Sequence, residues 1–234
     1  MKKSVLCGLV ALLCAATAFA GDVATFVDKG FSEDGKYYVF GQYGKTDKTF
    51  QGWAEIYQVD IAENDWVEDG IFITKPTSVT ADKSGVEVYE SLEGQNWNYL
   101  KKLNAKPADA EHTLYILDDI NKTGTDEIVF KDFRGSKIDN PVSYHIRLVP
   151  SYEGSGKNVR SSFYISLEKK DAEGNTIMTQ KIGNPDIRRR GVSNYKIERI
   201  MVDKSEKALI FVIEKTIEGD DAPSIRYMVE AVKY

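Results

Sequence analysis

The stretch FSEDGKYYVF at residues 31–40, followed by WAEIYQVD at residues 53–60, decides the fold class. Glu33-Asp34-Gly35 is turn chemistry, because Gly35 accepts a positive φ at no steric cost. The aromatic and β-branched run Tyr37-Tyr38-Val39-Phe40 then suits a strand. Residues 53–60 read as a second strand, Ala62-Glu63-Asn64-Asp65 as a tight turn, and residues 66–73 as a third strand. The pattern resumes further on. Residues 113–117 and 128–133 are short strands. In residues 143–149, Tyr144, Ile146 and Leu148 alternate with His145 and Arg147. In residues 162–168, Phe163, Ile165 and Leu167 fall on one face. Asp171-Ala-Glu-Gly174-Asn175 turns into residues 176–182, and residues 195–202, 208–215 and 225–232 complete the series. Strands recurring at roughly 10–15 residues with turns between them predict a mostly β chain. Its antiparallel sheets are expected as a sandwich or as incomplete propeller-like blades.

One segment changes period. Between residues 82 and 103, Tyr89, Leu92, Asn96, Tyr99 and Leu103 recur every three or four residues, the spacing of one helix face. Gly94 costs such a helix about 1 kcal/mol and suggests a break at Gly94-Gln95. Pro76 and Lys106-Pro107 bound the segment. It reads as a single helical insertion in one β-rich domain spanning residues 21–234.

Residues 1–20, MKKSVLCGLVALLCAATAFA, are a secretory leader: two lysines, a short apolar core, and Ala18-Phe19-Ala20 as the A-x-A cleavage signal. The apolar core is shorter than the ~17–25 residues a membrane span needs. Lipidation would require a cysteine just after a small residue. Cys14 instead follows Leu12-Leu13, and Cys7 lies too early. Both cysteines lie in the leader, so the exported chain has neither disulfides nor thiol chemistry. Loss of the leader removes two of the 31 basic residues and none of the 36 acidic ones, taking the net charge from −5 to −7. An acidic chain without a basic stripe has no electrostatic footprint for nucleic acid. No later segment is apolar enough to cross a membrane, so the product is expected to be soluble, in the periplasm or outside the cell.

Two resemblances follow from these residues. Residues 31–40 with Ala54-Glu-Ile-Tyr-Gln-Val-Asp60 resemble a TolB-type β-propeller repeat, with Glu33 where proline is usual. Val202-Asp-Lys-Ser-Glu-Lys-Ala-Leu-Ile-Phe211 with residues 225–232 is similar in outline but lacks the turn glycine. Such repeats build sheets and imply no chemistry of their own. The whole exported chain also resembles a bacterial family of predicted secreted proteins of unknown function. That resemblance rests on Gly30-Phe31-Ser32, Asp34-Gly35, Ala54-Glu-Ile-Tyr57, Gly183-Asn-Pro185, Arg189-Arg190-Gly191-Val192, Tyr195-Lys-Ile197, Ile213-Glu214 and Ile225-Arg-Tyr-Met-Val229. It implies export and supplies no catalytic residues.

Few residue patterns carry chemistry. His112 and His145 lack metal-ligand spacing, and no G-x-S-x-G elbow is present. Asp119, Asn121 and Thr123, followed by Gly124, match the first half of a calcium loop, and Asp126 adds an oxygen. The twelfth position, however, is Phe130 and not a bidentate glutamate. A polar turn is the alternative. Gly154-Ser-Gly-Lys157 lacks the spacing of a phosphate loop. Arg188, Arg189 and Arg190 are unusual in an acidic chain and could grip an anion bidentately. If extended, successive residues point to opposite faces and cannot all serve one ligand. Trp53, Tyr57, Trp66, Trp97 and Tyr99 read as core more readily than as a sugar-stacking platform.

The sequence therefore predicts a non-enzymatic binding or protein-interaction module of the cell envelope. Its partner would be an envelope protein or a small ligand, an anion or calcium. A hydrolase working through facing carboxylates is the third reading. N-terminal sequencing of the exported protein is expected to begin at Gly21, and a start elsewhere would displace the cleavage assignment.

Overall fold

The computed structural model describes residues 22–117, 127–134, 137–220 and 222–234. β1 (Thr25–Phe31), β2 (Tyr37–Lys45), β3 (Gly52–Asp60) and β4 (Asp65–Thr74) form a first outer sheet, in chain order and antiparallel throughout. Two helices follow, α1 (Gly85–Gln95) and α2 (Trp97–Leu103). β5 (Thr113–Ile116) crosses to a central sheet. β6 (Ile128–Asp132), β7 (Val142–Glu153), β8 (Arg160–Lys170), β9 (Thr176–Ile182) and β10 (Arg189–Arg190) build a second outer sheet, in which β9 and β10 share the far side of β8. β11 (Val192–Val202), β12 (Ala208–Ile217) and β13 (Ser224–Lys233) complete the central sheet in the order β13-β12-β11-β5.

The layers stack as helices, first outer sheet, central sheet and second outer sheet. β12 shows why. Its first six residues, Ala208 to Ile213, are all buried, and a continuous apolar run suits a strand covered on both faces. Leu209, Phe211 and Ile213 pack with Tyr144, Ile146, Phe163, Ile165 and Leu167 of the second outer sheet. Ala208, Ile210 and Val212 pack with Tyr38, Phe40, Val59 and Ile61 of the first. Val39, Ala54 and Ile56, on the opposite face of the first outer sheet, receive Val88, Tyr89, Leu92 and Leu100 of the helices. The arrangement is a layered sandwich of mostly β structure, as expected, and no closed barrel forms among the described residues.

The helical insertion differs in detail. Ser84 starts α1 with a capping box: its hydroxyl accepts from the Glu87 amide, and Glu87 accepts from the Ser84 amide at 2.7 Å. Gly94 stays inside α1. The break comes at Asn96, whose side-chain amide donates to the Leu92 carbonyl at 2.8 Å and ends the turn. The segment expected at residues 82–103 is thus two helices beginning at Gly85.

Two sheet edges are blunted. The outer side of β13 is covered by the chain itself: the Ala24 amide donates to Ile225 O (3.1 Å) and the Ile225 amide to Asp22 O (3.0 Å). The side-chain oxygens of Gln42 and Asn64 accept from the Tyr227 and Ala231 amides at 2.8 and 2.6 Å. On β4, residues 67–70 bulge opposite Gln58 and carry Glu68 and Asp69. Bulges and charges disfavour pairing with another strand.

A buried ion pair joins the second outer sheet to the turn between β11 and β12. The Asp132 side chain is fully buried and accepts two bonds from Arg134, each 2.8 Å, and one from Lys137 at 2.9 Å. Lys137 also pairs with Glu206. Burial alone would raise the Asp132 pKa, but the bonds from Arg134 and Lys137 outweigh it and hold the carboxyl well below the usual range. A depressed carboxyl stabilises the fold above its unfolded pKa of about 4 and loses that contribution as pH falls below it. Asp132→Asn is expected to destabilise the protein by about 3 kcal/mol at neutral pH. The difference from wild type, read by thermal melts across pH, should shrink on acidification below about pH 4.

Candidate functional site

Two turns of similar sequence meet at one end of the sandwich. The first joins β1 to β2. The Ser32 hydroxyl donates to Asp34 at 2.7 Å and accepts from the Tyr37 amide at 3.0 Å, Asp34 accepts from the Lys36 amide at 3.1 Å, and Gly35 takes φ +66°. The second joins β11 to β12. Asp203 is buried and accepts from the amides of Ser205, Lys207 and Ala208 at 3.1, 2.7 and 2.7 Å, and from the Ser205 hydroxyl. Short polar side chains that bond their own backbone a few residues on stabilise such turns.

The segment between α2 and β5 forms the third wall. Lys106 and Phe31 exchange backbone hydrogen bonds of 3.0 and 3.1 Å. Gly30 makes that approach possible. It takes φ +89°, and a Cβ there would lie 1.8 Å from the Lys106 carbonyl oxygen. His112 accepts from the Val202 amide through its backbone (2.9 Å), and its Nδ1 lies 2.6 Å from Asp109 Oδ1. The end of β13 brings Lys233 opposite Ala208. These elements enclose a cavity of about 500 Å³. Phe31, Pro107, Ala108, Val202 and Ala208 supply its apolar lining.

The charges around this cleft are unequally engaged. Asp34 and Asp203 hold their own turns, Glu33 accepts from the Asn104 side chain at 3.1 Å, and Asp109 holds His112. The Asp34 pKa is lowered first by the Ser32 hydroxyl and then by the Lys36 amide, and the Asp109 pKa by its bond to His112. Lys106, Lys204, Lys207 and Lys233 line the same cleft and form no ion pair among the described residues. The cleft thus sets four ammonium groups beside four carboxylates, and only the carboxylates are fixed by hydrogen bonds from the protein.

The three adjacent arginines do not converge. Arg188 is exposed and lies 3.8 Å from Glu153. Arg189 stacks over Phe163 at 5.0 Å and sits 3.8 Å from Glu230. Arg190 reaches Asn158 at 3.4 Å. Strand alternation along β10 separates Arg189 from Arg190, Arg188 precedes the strand, and each of the three has its own protein partner. Asp119, Asn121, Thr123 and Asp126 lie outside the described residues. Their neighbour Glu127 pairs with Arg147 (3.4 Å) and His145 (3.7 Å). Among the described residues no group of three or more histidines, cysteines or acids is placed to hold a metal. Lys157, in the loop compared above with a phosphate loop, pairs with Asp220. Trp53 is buried, whereas Trp97 is 54 % exposed, so the aromatic set is not wholly core. The sequence did not reveal the cleft. Its one trace in the sequence is the likeness of the two turns.

Fold and site define a class: an antiparallel layered β protein with a lysine-rimmed cleft. Residues 39–233 match the family described as "Predicted secreted protein (DUF2259)", and the chain belongs to that family. No curated protein matches it. Among the described residues no helix is long and apolar enough to cross a membrane. Asp203→Ala is expected to lower stability by about 2 kcal/mol, because it leaves turn amides unsatisfied beside the cleft. A thermal melt unchanged from wild type would remove Asp203 from this structural role.

Proposed function

We propose that this secreted protein is a non-enzymatic binding module, and that its ligand is a small anion with an apolar body held in the lysine-rimmed cleft. One observation carries the reading: four lysines face a cavity whose carboxylates are already bonded to the protein. The volume of about 500 Å³ lies in the range of roughly 300–1,000 Å³ typical of small-molecule sites. The apolar lining would take the body of the ligand, and Lys204, Lys207 and Lys233 its charged end. His112 adds a ring edge whose Nε2 has no hydrogen-bond partner among the described residues. The blunted edges of β4 and β13 speak against a partner that adds a strand.

The test is a thermal-shift series with medium-chain carboxylates and aryl phosphates, with the corresponding alcohols as uncharged controls. A ligand at 100 times its dissociation constant stabilises the folded state by about 2.7 kcal/mol, which is roughly 5–10 °C in a chain of this size. Lys204→Glu/Lys207→Glu/Lys233→Glu is expected to fold normally, since all three side chains are exposed, and to bind at least ten times more weakly. Equal shifts from the alcohols, or unchanged binding by the triple variant, would overturn the reading.

A further inference from the structure

The edges of the three sheets are protected unequally. β1 is tied at its end to Lys106 and carries Asp28 and Lys29. β4 bulges at residues 67–70, and β13 is covered by residues 22–24 and by the side chains of Gln42 and Asn64. β5 and β6 are four and five residues long, and β10 has two residues. Short strands, charges, bulges and covering segments all keep a sheet edge from pairing with another chain. β9 has seven residues, TIMTQKI, with no proline, no acid and one lysine. Its single bulge lies between Thr176 and Met178, beside the hairpin turn, and residues 178–182 then run in continuous register with β8.

Among the described residues the β9 backbone hydrogen-bonds with β8 alone, so the N–H and C=O groups of its other side have no protein partner. Thr176, Ile177, Thr179, Gln180 and Lys181 are all exposed, Ile177 by 53 %. The one charge on the strand does not guard this edge: Lys181 Nζ is turned back over the sheet, 4.4 Å from the Tyr164 ring centre.

We propose that β9 is a self-association edge, through which two copies of the chain pair antiparallel about a two-fold axis near Thr179. The pairing joins the second outer sheets of both copies into one continuous sheet and covers both free edges at once. The charges of the edge suit a second copy. In this register Lys181 of one copy lies opposite Ile177 of the other, next to the β8–β9 turn that carries Glu173. Glu173 is exposed and makes no ion pair among the described residues. The two-fold axis repeats the contact, so each end of the paired strands brings an ammonium group beside a carboxylate, and no like charges stand directly opposite. β4 and β13 resist strand addition at their own edges; β9 does not. No β9 residue lines the lysine-rimmed cleft, so the contact leaves that site open.

The test is sedimentation equilibrium of the exported chain over a concentration series reaching the millimolar range. A monomer–dimer equilibrium is expected. Thr179→Lys sets two like charges across the axis and should weaken the dimer about fivefold. Lys181→Glu places an acid beside Glu173 at both ends and should weaken it about tenfold, and Glu173→Lys/Lys181→Glu should restore it by exchanging the two charges. All three positions are exposed, and thermal melts of the variants at low concentration should match that of the wild type. A monomer at every concentration would overturn the proposal. A dimer indifferent to both single variants would place the contact elsewhere and overturn it as well. A double variant no better than Lys181→Glu would overturn the antiparallel register.

Discussion

The structure depends on burial of the central sheet on both faces. Six consecutive residues of β12, from Ala208 to Ile213, have almost no contact with solvent. Both outer sheets bury their inward faces against them. Leu209, Phe211 and Ile213 complete one interior, and Ala208, Ile210 and Val212 the other. Apolar burial contributes about 25 cal/mol per Å² removed from water, so a strand with two interior faces contributes roughly twice what a half-exposed strand does. A lost methylene in β12 leaves a void that neither neighbouring layer can close by itself. The helices depend on this arrangement at one remove, since they cover the far face of a sheet that β12 holds in place.

A sheet buried on both faces still has exposed rims, and polar chemistry gathers there. Along β13, Gln42 and Asn64 supply the partners a neighbouring strand would have supplied. At one end the Asp203 turn, the Asp34 turn and residues 104–112 leave a cleft; at the other, Asp22, Trp53 and Arg226 lock together, with the guanidinium 3.9 Å from the indole ring centre. Between the two ends, Asp28 accepts from the Tyr38 hydroxyl at 2.8 Å, and burial raises its pKa. Charged groups thus occur inside this protein mainly where strands end and the layers part.

Most of the strands were legible because their residues are locally consistent. Tyr144, Ile146 and Leu148 alternate in the sequence, and the first two are buried in the fold, while His145 on the other face pairs with Glu127. β1 was not legible: Asp28 and Lys29 interrupt its pattern, and they are accommodated only through Tyr38 and Glu93, which are distant in sequence. Propensity alone puts the helix break at Gly94. Asn96 decides it instead, through a side-chain bond that propensity does not report. The cleft was invisible for a different reason. Its walls lie about 170 residues apart, and nothing in either turn says that they meet. The arginine run was legible as a doubt: alternation argued against a shared ligand, and the three side chains do go to three separate partners.

The order of synthesis gives the central sheet a further meaning. Its three long strands are all drawn from the last stretch of the chain, residues 192–233. Until those strands appear, Tyr38, Phe40, Val59 and Ile61 lack the layer that covers them in the fold. Non-local pairings of this kind form slowly, after long segments of chain have been brought together. The layers of this protein therefore close only once residues 192–233 are present.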